Sequence, residues 1–286
     1  MKDRRAARPR TDALSSPLRA VRRLFAFSLV TLTVLPVQLV AHGLDRPLAR
    51  RLPLFYHRIC CRILGFEVRV EGEISRVRPT LFVSNHISYV DIAVFGSILE
   101  ASFVAKAEIA DWPLFGLLAK LQRSVFVERR AGRHVAQQKE TIARRLAAGD
   151  NLILFPEGTS ADSQRVLPFK SALFSVAETG AGAPPLTVQP VTVAYTHLDG
   201  IPLHRALRPH FAWYGDMSMA SHLFEMLGVG VVSVVVTFHE PVPSDRFATR
   251  KALADFCHGV VVSGLDAANS GRRLPAPGRD AASAKS

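Results

Sequence analysis

Four short apolar runs, each opening into polar or charged residues, constrain what this chain can fold into. Leu81-Phe82-Val83 runs into Asn85-His86, and Ser102-Phe103-Val104-Ala105 into Lys106. Ser124-Val125-Phe126-Val127-Glu128 runs into Arg129-Arg130, and Asn151–Phe155 into Pro156-Glu157-Gly158-Thr159-Ser160. Such runs, bounded by turn formers, read as buried strands. Helical patterns separate them: Leu114–Gln122 after Trp112-Pro113, and an amphipathic Arg133–Ala148 closed by Gly149. Lys170–Thr179 reads as a further helix stopped by Gly180-Ala181-Gly182, and Leu186–Ala194 and Val231–Phe238 as Val-rich strands. Residues 197–222 read as loop and short helix. This alternation predicts an α/β fold, a mixed and largely parallel sheet flanked by helices, with polar groups gathered at strand ends.

The first of those strand ends carries the densest chemistry. In Asn85-His86-Ile87-Ser88-Tyr89-Val90-Asp91 an imidazole and a carboxylate stand five residues apart. Five residues of straight helix rotate a side chain by roughly 500°, so the two share no face unless His86 precedes the helix, in the turn. There the carboxylate fixes the tautomer of a histidine that takes a proton near neutral pH: a general base with its orienter. The same residues also fit a helix N-terminal cap, with Asp91 satisfying a free amide.

At 286 residues the chain suits one large domain with appendages. Its 48% hydrophobic residues and formal charge of +12 point to an anionic surface as partner. Residues 1–23 carry eight Lys or Arg against Asp3 and Asp12, half of the net charge, so the basic character is concentrated in one arm. A nucleic-acid binder would instead interleave basic and aromatic residues on the folded domain. Next comes Leu24–Ala41, 18 uncharged residues reaching ~27 Å as a helix, just short of a bilayer core. Pro36 weakens it further as a span, and both flanks are basic. We read residues 24–41 with an amphipathic Pro53–Ile63 as a monotopic anchor in the cytoplasmic leaflet, ahead of a single span and of a signal peptide. Cys60, Cys61 and Cys257 form no disulfide framework, and the ten histidines show no metal-ligand spacing, so neither metal nor bound cofactor is expected.

Gly158-Thr159-Ser160 can offer amides and hydroxyls to an oxyanion, and Lys106 and Arg129 bring cations to neighbouring strand ends. Together with the His86 turn these would make one cleft with an anion site.

Taken in order, Asn85-His86-x4-Asp91, the Val125-Phe126-Val127-Glu128-Arg129 block, Phe155-Pro156-Glu157-Gly158-Thr159-Ser160 and Val188-Gln189-Pro190-Val191 resemble the four blocks of the glycerolipid acyltransferases. The resemblance covers about residues 80–200. It implies transfer of a fatty acyl group from an acyl carrier protein or coenzyme A thioester to the free hydroxyl of a lysolipid at a membrane. On that resemblance His86 is the base and Asp91 its orienter, while Arg129, Glu157, Gly158 and Thr159 line the acceptor head group and Lys106 adds a phosphate contact. The acceptor it implies first is 1-acylglycerol-3-phosphate. Lyso-ornithine lipid is the alternative, because Arg123 stands where the lysophosphatidic branch has Gly. The expected organisation is a basic arm 1–23, a membrane-anchoring segment 24–64, an acyltransferase domain 65–264 and a disordered tail 265–286. A thioesterase using the same His/Asp pair on water is the reading from another class.

Overall fold

A computed structural model describes residues 14–44, 47–127, 134–178 and 184–272, with the backbone alone over 134–139. The chain opens with two helices, α1 (Pro17–Gly43) and α2 (Leu48–Leu64). Ser16 accepts the Arg19 amide and proline occupies the first turn, which starts α1 well before the apolar stretch. The predicted 18 residues are therefore the middle of a 27-residue helix about 40 Å long, enough by length and composition to cross a membrane.

α1 nonetheless lies along the domain. Near its start Arg23 donates to the carbonyls of Val229 at 2.7 Å and Leu227 at 3.2 Å, and Arg19 to that of Gly228 at 3.3 Å. Near its end Gln38 donates to the carbonyls of Ala49 and Leu121, both at 3.0 Å. The α2 helix stops at Gly65, whose φ of +75° suits glycine and whose missing side chain leaves room for Arg23 and the Gly230 carbonyl.

The sheet holds β1 (Phe66–Gly72), β2 (Thr80–Ser84), β3 (Ser102–Lys106), β4 (Val125–Val127), β5 (Leu152–Leu154), β6 (Thr187–Leu198) and β8 (Val232–Phe238), with two-residue additions β7 (Ile201–Pro202) and β9 (Val242–Pro243) on β6. Its order is β1-β8-β6-β2-β5-β3-β4. The β6 to β4 half is parallel throughout, and β8 with β1 runs the other way, so the sheet is mixed and largely parallel as expected. Helices α3 (Asp91–Ile98), α4 (Phe115–Leu121), α5 (His134–Ala147), α6 (Met219–Gly228) and α7 (Arg250–Asn269) complete the fold.

Leu81 and Val83 join one core with Leu152, Leu154, Val188 and Leu253, while Phe82 joins the other with Phe103, Ile153 and Tyr195. Burial on both faces is why β2 and β5 read as unbroken apolar runs. Cys60, Cys61 and Cys257 are free and buried, and burial pushes the Cys60 and Cys61 thiols up to about 12 and about 11.

Several elements differ from the sequence reading. Residues 171–177 form a 3-10 turn in place of the helix expected over 170–179, with Phe174 and Ala177 buried three apart as that geometry requires. Residues 265–269, expected within a disordered tail, are helical: Leu253, Cys257, Val261 and Leu265 form one buried stripe at four-residue spacing, which carries α7 to Asn269. The rest of the expected tail, from 273, lies outside the described residues, as do residues 1–13 of the basic arm. β1 has no apolar run to mark it, because Glu67, Arg69 and Glu71 dilute its pattern at the sheet's edge. α6 extends past the 197–222 stretch expected as loop and short helix.

Candidate active site

Strands β2, β5, β3 and β4 lie side by side and parallel, so the segments that leave their C-terminal ends emerge on one edge. The His86 turn, the Phe155–Ser160 loop and Lys106 share it. Lys106, half-buried at the end of β3, is two strands from the His86 turn, about 10 Å by strand spacing. Arg129 falls outside the described residues.

Asn85 holds the end of β2 against β6. Its amide nitrogen donates to the Val193 carbonyl and its amide oxygen accepts the Val193 N–H, both at 2.9 Å. His86 comes next, in the turn and before α3 as the spacing required. Its backbone is fixed by the β5 loop, with its N–H donating to Glu157 Oε1 at 2.8 Å and its carbonyl accepting from Ala161 at 2.8 Å. The ring stacks on Phe155 with centroids 4.3 Å apart.

His86 Nδ1 lies 2.9 Å from Asp91 Oδ2. That carboxylate, fully buried in the first turn of α3, also accepts the amides of Ile87 at 2.7 Å and Ser88 at 3.0 Å, and the hydroxyl of Tyr195 at 2.7 Å on Oδ1. The amides Asp91 satisfies belong to the turn before α3, and among the described residues the Ser88 hydroxyl makes no reciprocal capping bond. One carboxylate ties the turn's amides and points the imidazole. An acceptor on Nδ1–H leaves Nε2 as the basic nitrogen, without a partner among the described residues, on a side chain 21% exposed.

Tyr195 is the functional residue that sequence reasoning missed. It lies on β6, whose Val-rich pattern announces only a buried strand, and burial with the adjacent Asp91 charge holds its phenol well above the usual range. The fourth block, on the same strand, does not touch His86. Gln189 instead ties Ser75, Glu73 and His239 to the sheet, which sets the strand that presents Val193 and Tyr195.

Glu157, expected to line the acceptor head group, has both carboxylate oxygens engaged by backbone amides. It is buried, and its second oxygen accepts the Leu167 amide at 2.8 Å, so the loop from 158 to 167 leaves and returns to one carboxyl. Burial, with Asp91 and Asp162 nearby, pushes that carboxyl up to about 8, against the pull of its two amide donors. Gly158 is buried with φ of +75°, which turns the chain sharply, and leaves Thr159 exposed. Arg123 stands at the opposite edge of the sheet, just before β4, with φ of +61°. Its Nη2 reaches Asp150 at 3.3 Å and its carbonyl accepts from Arg145 at 2.8 Å.

Beside the turn is a cavity of about 240 Å³, walled by apolar side chains of α1, α2, α3, α4 and α6, among them Phe27, Leu35, Ile92, Phe115 and Leu223. Tyr89 and Val90, inside the His86–Asp91 turn, form part of its wall. Phe103, also in the wall, stacks on Phe155 beneath the His86 ring. An oriented imidazole whose turn borders an apolar cavity can deprotonate a hydroxyl next to an aliphatic chain bound there.

Comparison with known proteins places the chain in a family. Residues 67–194 match the Acyltransferase family. A lyso-ornithine lipid O-acyltransferase from Brucella abortus is 44% identical over 250 residues, 86% of this chain and 93% of that protein. The chain belongs to the Acyltransferase family. A more distant member, the 1-acyl-sn-glycerol-3-phosphate acyltransferase of Neisseria gonorrhoeae, is 28% identical over 205 residues, 68% of this chain and 76% of that one. The fold is that of the 1-acyl-sn-glycerophosphate (LPA) acyltransferase PlsC from Thermotoga maritima, with a TM-score of 0.57 and 24% identity over 90% of this chain and 99% of that one. This acyltransferase thus keeps the family's sheet and places its His/Asp turn within the matched segment.

Proposed function

We propose that this chain is a monotopic membrane enzyme that transfers a fatty acyl group from an acyl carrier protein or coenzyme A thioester to the free hydroxyl of lyso-ornithine lipid. The observation that carries the reading is His86 Nε2, the open nitrogen of an oriented imidazole beside an apolar cavity. His86 takes the hydroxyl proton while the oxygen attacks the thioester carbonyl. The C–O bond forms, the tetrahedral intermediate collapses, the C–S bond breaks, and the imidazolium returns its proton to the leaving thiolate. Asp91 holds the Nδ1 proton and stabilises the transient cation, and Tyr195 and two amides hold Asp91. The cavity accommodates the acyl chain, and a thioester is reactive enough that no acyl-enzyme is needed.

Two observations support the membrane placement. The outward face of α1 carries Leu18, Phe25, Leu29 and Leu32, all exposed, and both ends of the helix are tied to the domain. A helix held lengthwise lies in one leaflet more readily than it crosses two. The acceptor implied first by the sequence, 1-acylglycerol-3-phosphate, takes second place because the relative named for lyso-ornithine lipid shares much more of this chain. Arg123 is not the reader of that difference, since it lies at the edge of the sheet away from His86. It occupies a left-handed conformation that glycine adopts without strain, and here its pairing with Asp150 offsets that strain.

The test supplies purified protein with acyl carrier protein thioester and either lyso-ornithine lipid or lysophosphatidic acid, with products read by mass spectrometry. Faster acylation of the ornithine acceptor, abolished in His86→Ala, is expected. Preference for lysophosphatidic acid overturns the acceptor, and fatty acid release indifferent to any acceptor overturns the transferase reading.

A further inference from the structure

The loop that leaves and returns to Glu157 holds an acid and a base in an arrangement the chemistry above does not use. Ala161 donates its amide to the His86 carbonyl, so Asp162 begins one residue, about 3.8 Å, from a direct contact with the catalytic turn. Asp162 Oδ1 accepts the Gln164 amide at 3.1 Å. The Gln164 side-chain oxygen in turn accepts from Arg205 Nε at 2.7 Å. A carboxylate and a guanidinium are thereby held at the two ends of one glutamine.

Neither charge is neutralised by an ion pair among the described residues. Asp162 is half-buried and close enough to raise the proton affinity of Glu157. The loop is also fixed in place, since Ser163 between the two is buried and its carbonyl accepts from Asn269 at the end of α7. A phosphate head group would meet repulsion at Asp162. A head group with an ammonium and a carboxylate finds a partner for each.

We propose that Asp162 and Arg205 form the acceptor head-group subsite, Asp162 binding the side-chain ammonium and Arg205 the carboxylate of a zwitterionic amino-acid head group. This rests on the acceptor reading given above and adds the residues that make the selection. Asp162→Asn keeps the oxygen that caps Gln164 and removes only the charge. It raises KM for lyso-ornithine lipid about tenfold, with kcat close to the parent value, and leaves KM for lysophosphatidic acid unchanged or lower. Arg205→Met raises KM for the ornithine acceptor as well.

The deciding arm uses an acceptor in which norvaline replaces ornithine, which removes the ammonium and keeps the carboxylate. Its KM should be insensitive to Asp162→Asn and still sensitive to Arg205→Met. Equal effects of Asp162→Asn on both acceptors, or on neither, overturn the subsite while the parent enzyme's use of lyso-ornithine lipid stands. A parent protein that leaves lyso-ornithine lipid unacylated overturns the acceptor reading and the subsite with it.

Discussion

The hydroxyl of Tyr195 donates to Asp91 Oδ1 at 2.7 Å inside a fully buried pocket, joining β6 to the helix whose first turn carries the orienting carboxylate. Asp91 Oδ2 is occupied by His86 and two amides, so Tyr195 is what restrains rotation of the carboxylate about its axis. In Tyr195→Phe the ring still fills its place and one buried acceptor loses its partner. The expected cost is about 1–3 kcal/mol of stability with kcat lowered about tenfold and KM nearly unchanged, read by denaturant titration and steady-state kinetics.

Asp91→Asn tests the two roles of that residue together. Its amide presents one acceptor where the turn supplies an imidazole, two amides and a phenol, so the wrong imidazole tautomer is favoured and the turn loosens. Activity should fall by about three orders of magnitude or more while the protein remains folded. A residue that only capped α3 would cost about 1 kcal/mol and leave turnover intact.

The His86–Asp91 pair was legible from sequence because its spacing closes only if the histidine precedes the helix, a local condition. Tyr195 was not. It comes 104 residues after Asp91, and only the placement of β6 beside β2 turns one residue of a Val-rich strand toward that carboxylate. Glu157 was legible as part of the loop that meets His86, but its burial and its bond to the Leu167 amide ten residues on were not, because they depend on the chain folding back. The parallel strands could be read from their apolar runs, since burial on both faces removes any alternation. The edge strand β1 could not, because its charged residues break the run.

Glu157 also gives the fold a pH dependence. Its carboxyl is raised from 4.5 to about 8 in the folded protein, so the folded state holds this proton more tightly than the unfolded chain does. The stabilising contribution is complete below about pH 4.5 and is lost as pH rises through about 8. Glu157→Gln does not titrate there. The urea midpoint of the parent protein should fall more steeply between pH 5 and pH 9 than that of the variant, and parallel curves would remove Glu157 as the source.

The proposed anchor is best tested without deleting it, since α1 supplies Phe27, Leu35 and Gln38 to the cavity wall and its loss would open the core. Phe25 and Leu32 are 69% and 68% exposed, so charges there disturb no packing. Each side chain contributes about 1.5–3 kcal/mol when it enters an apolar phase. Phe25→Glu with Leu32→Glu should therefore lower partitioning onto phospholipid vesicles by at least about 100-fold while the circular dichroism spectrum stays the same. Activity on a detergent-dispersed acceptor should survive, because neither residue lines the cavity or reaches His86. A variant that still sediments with vesicles would mean that α1 is not what holds this protein to the bilayer.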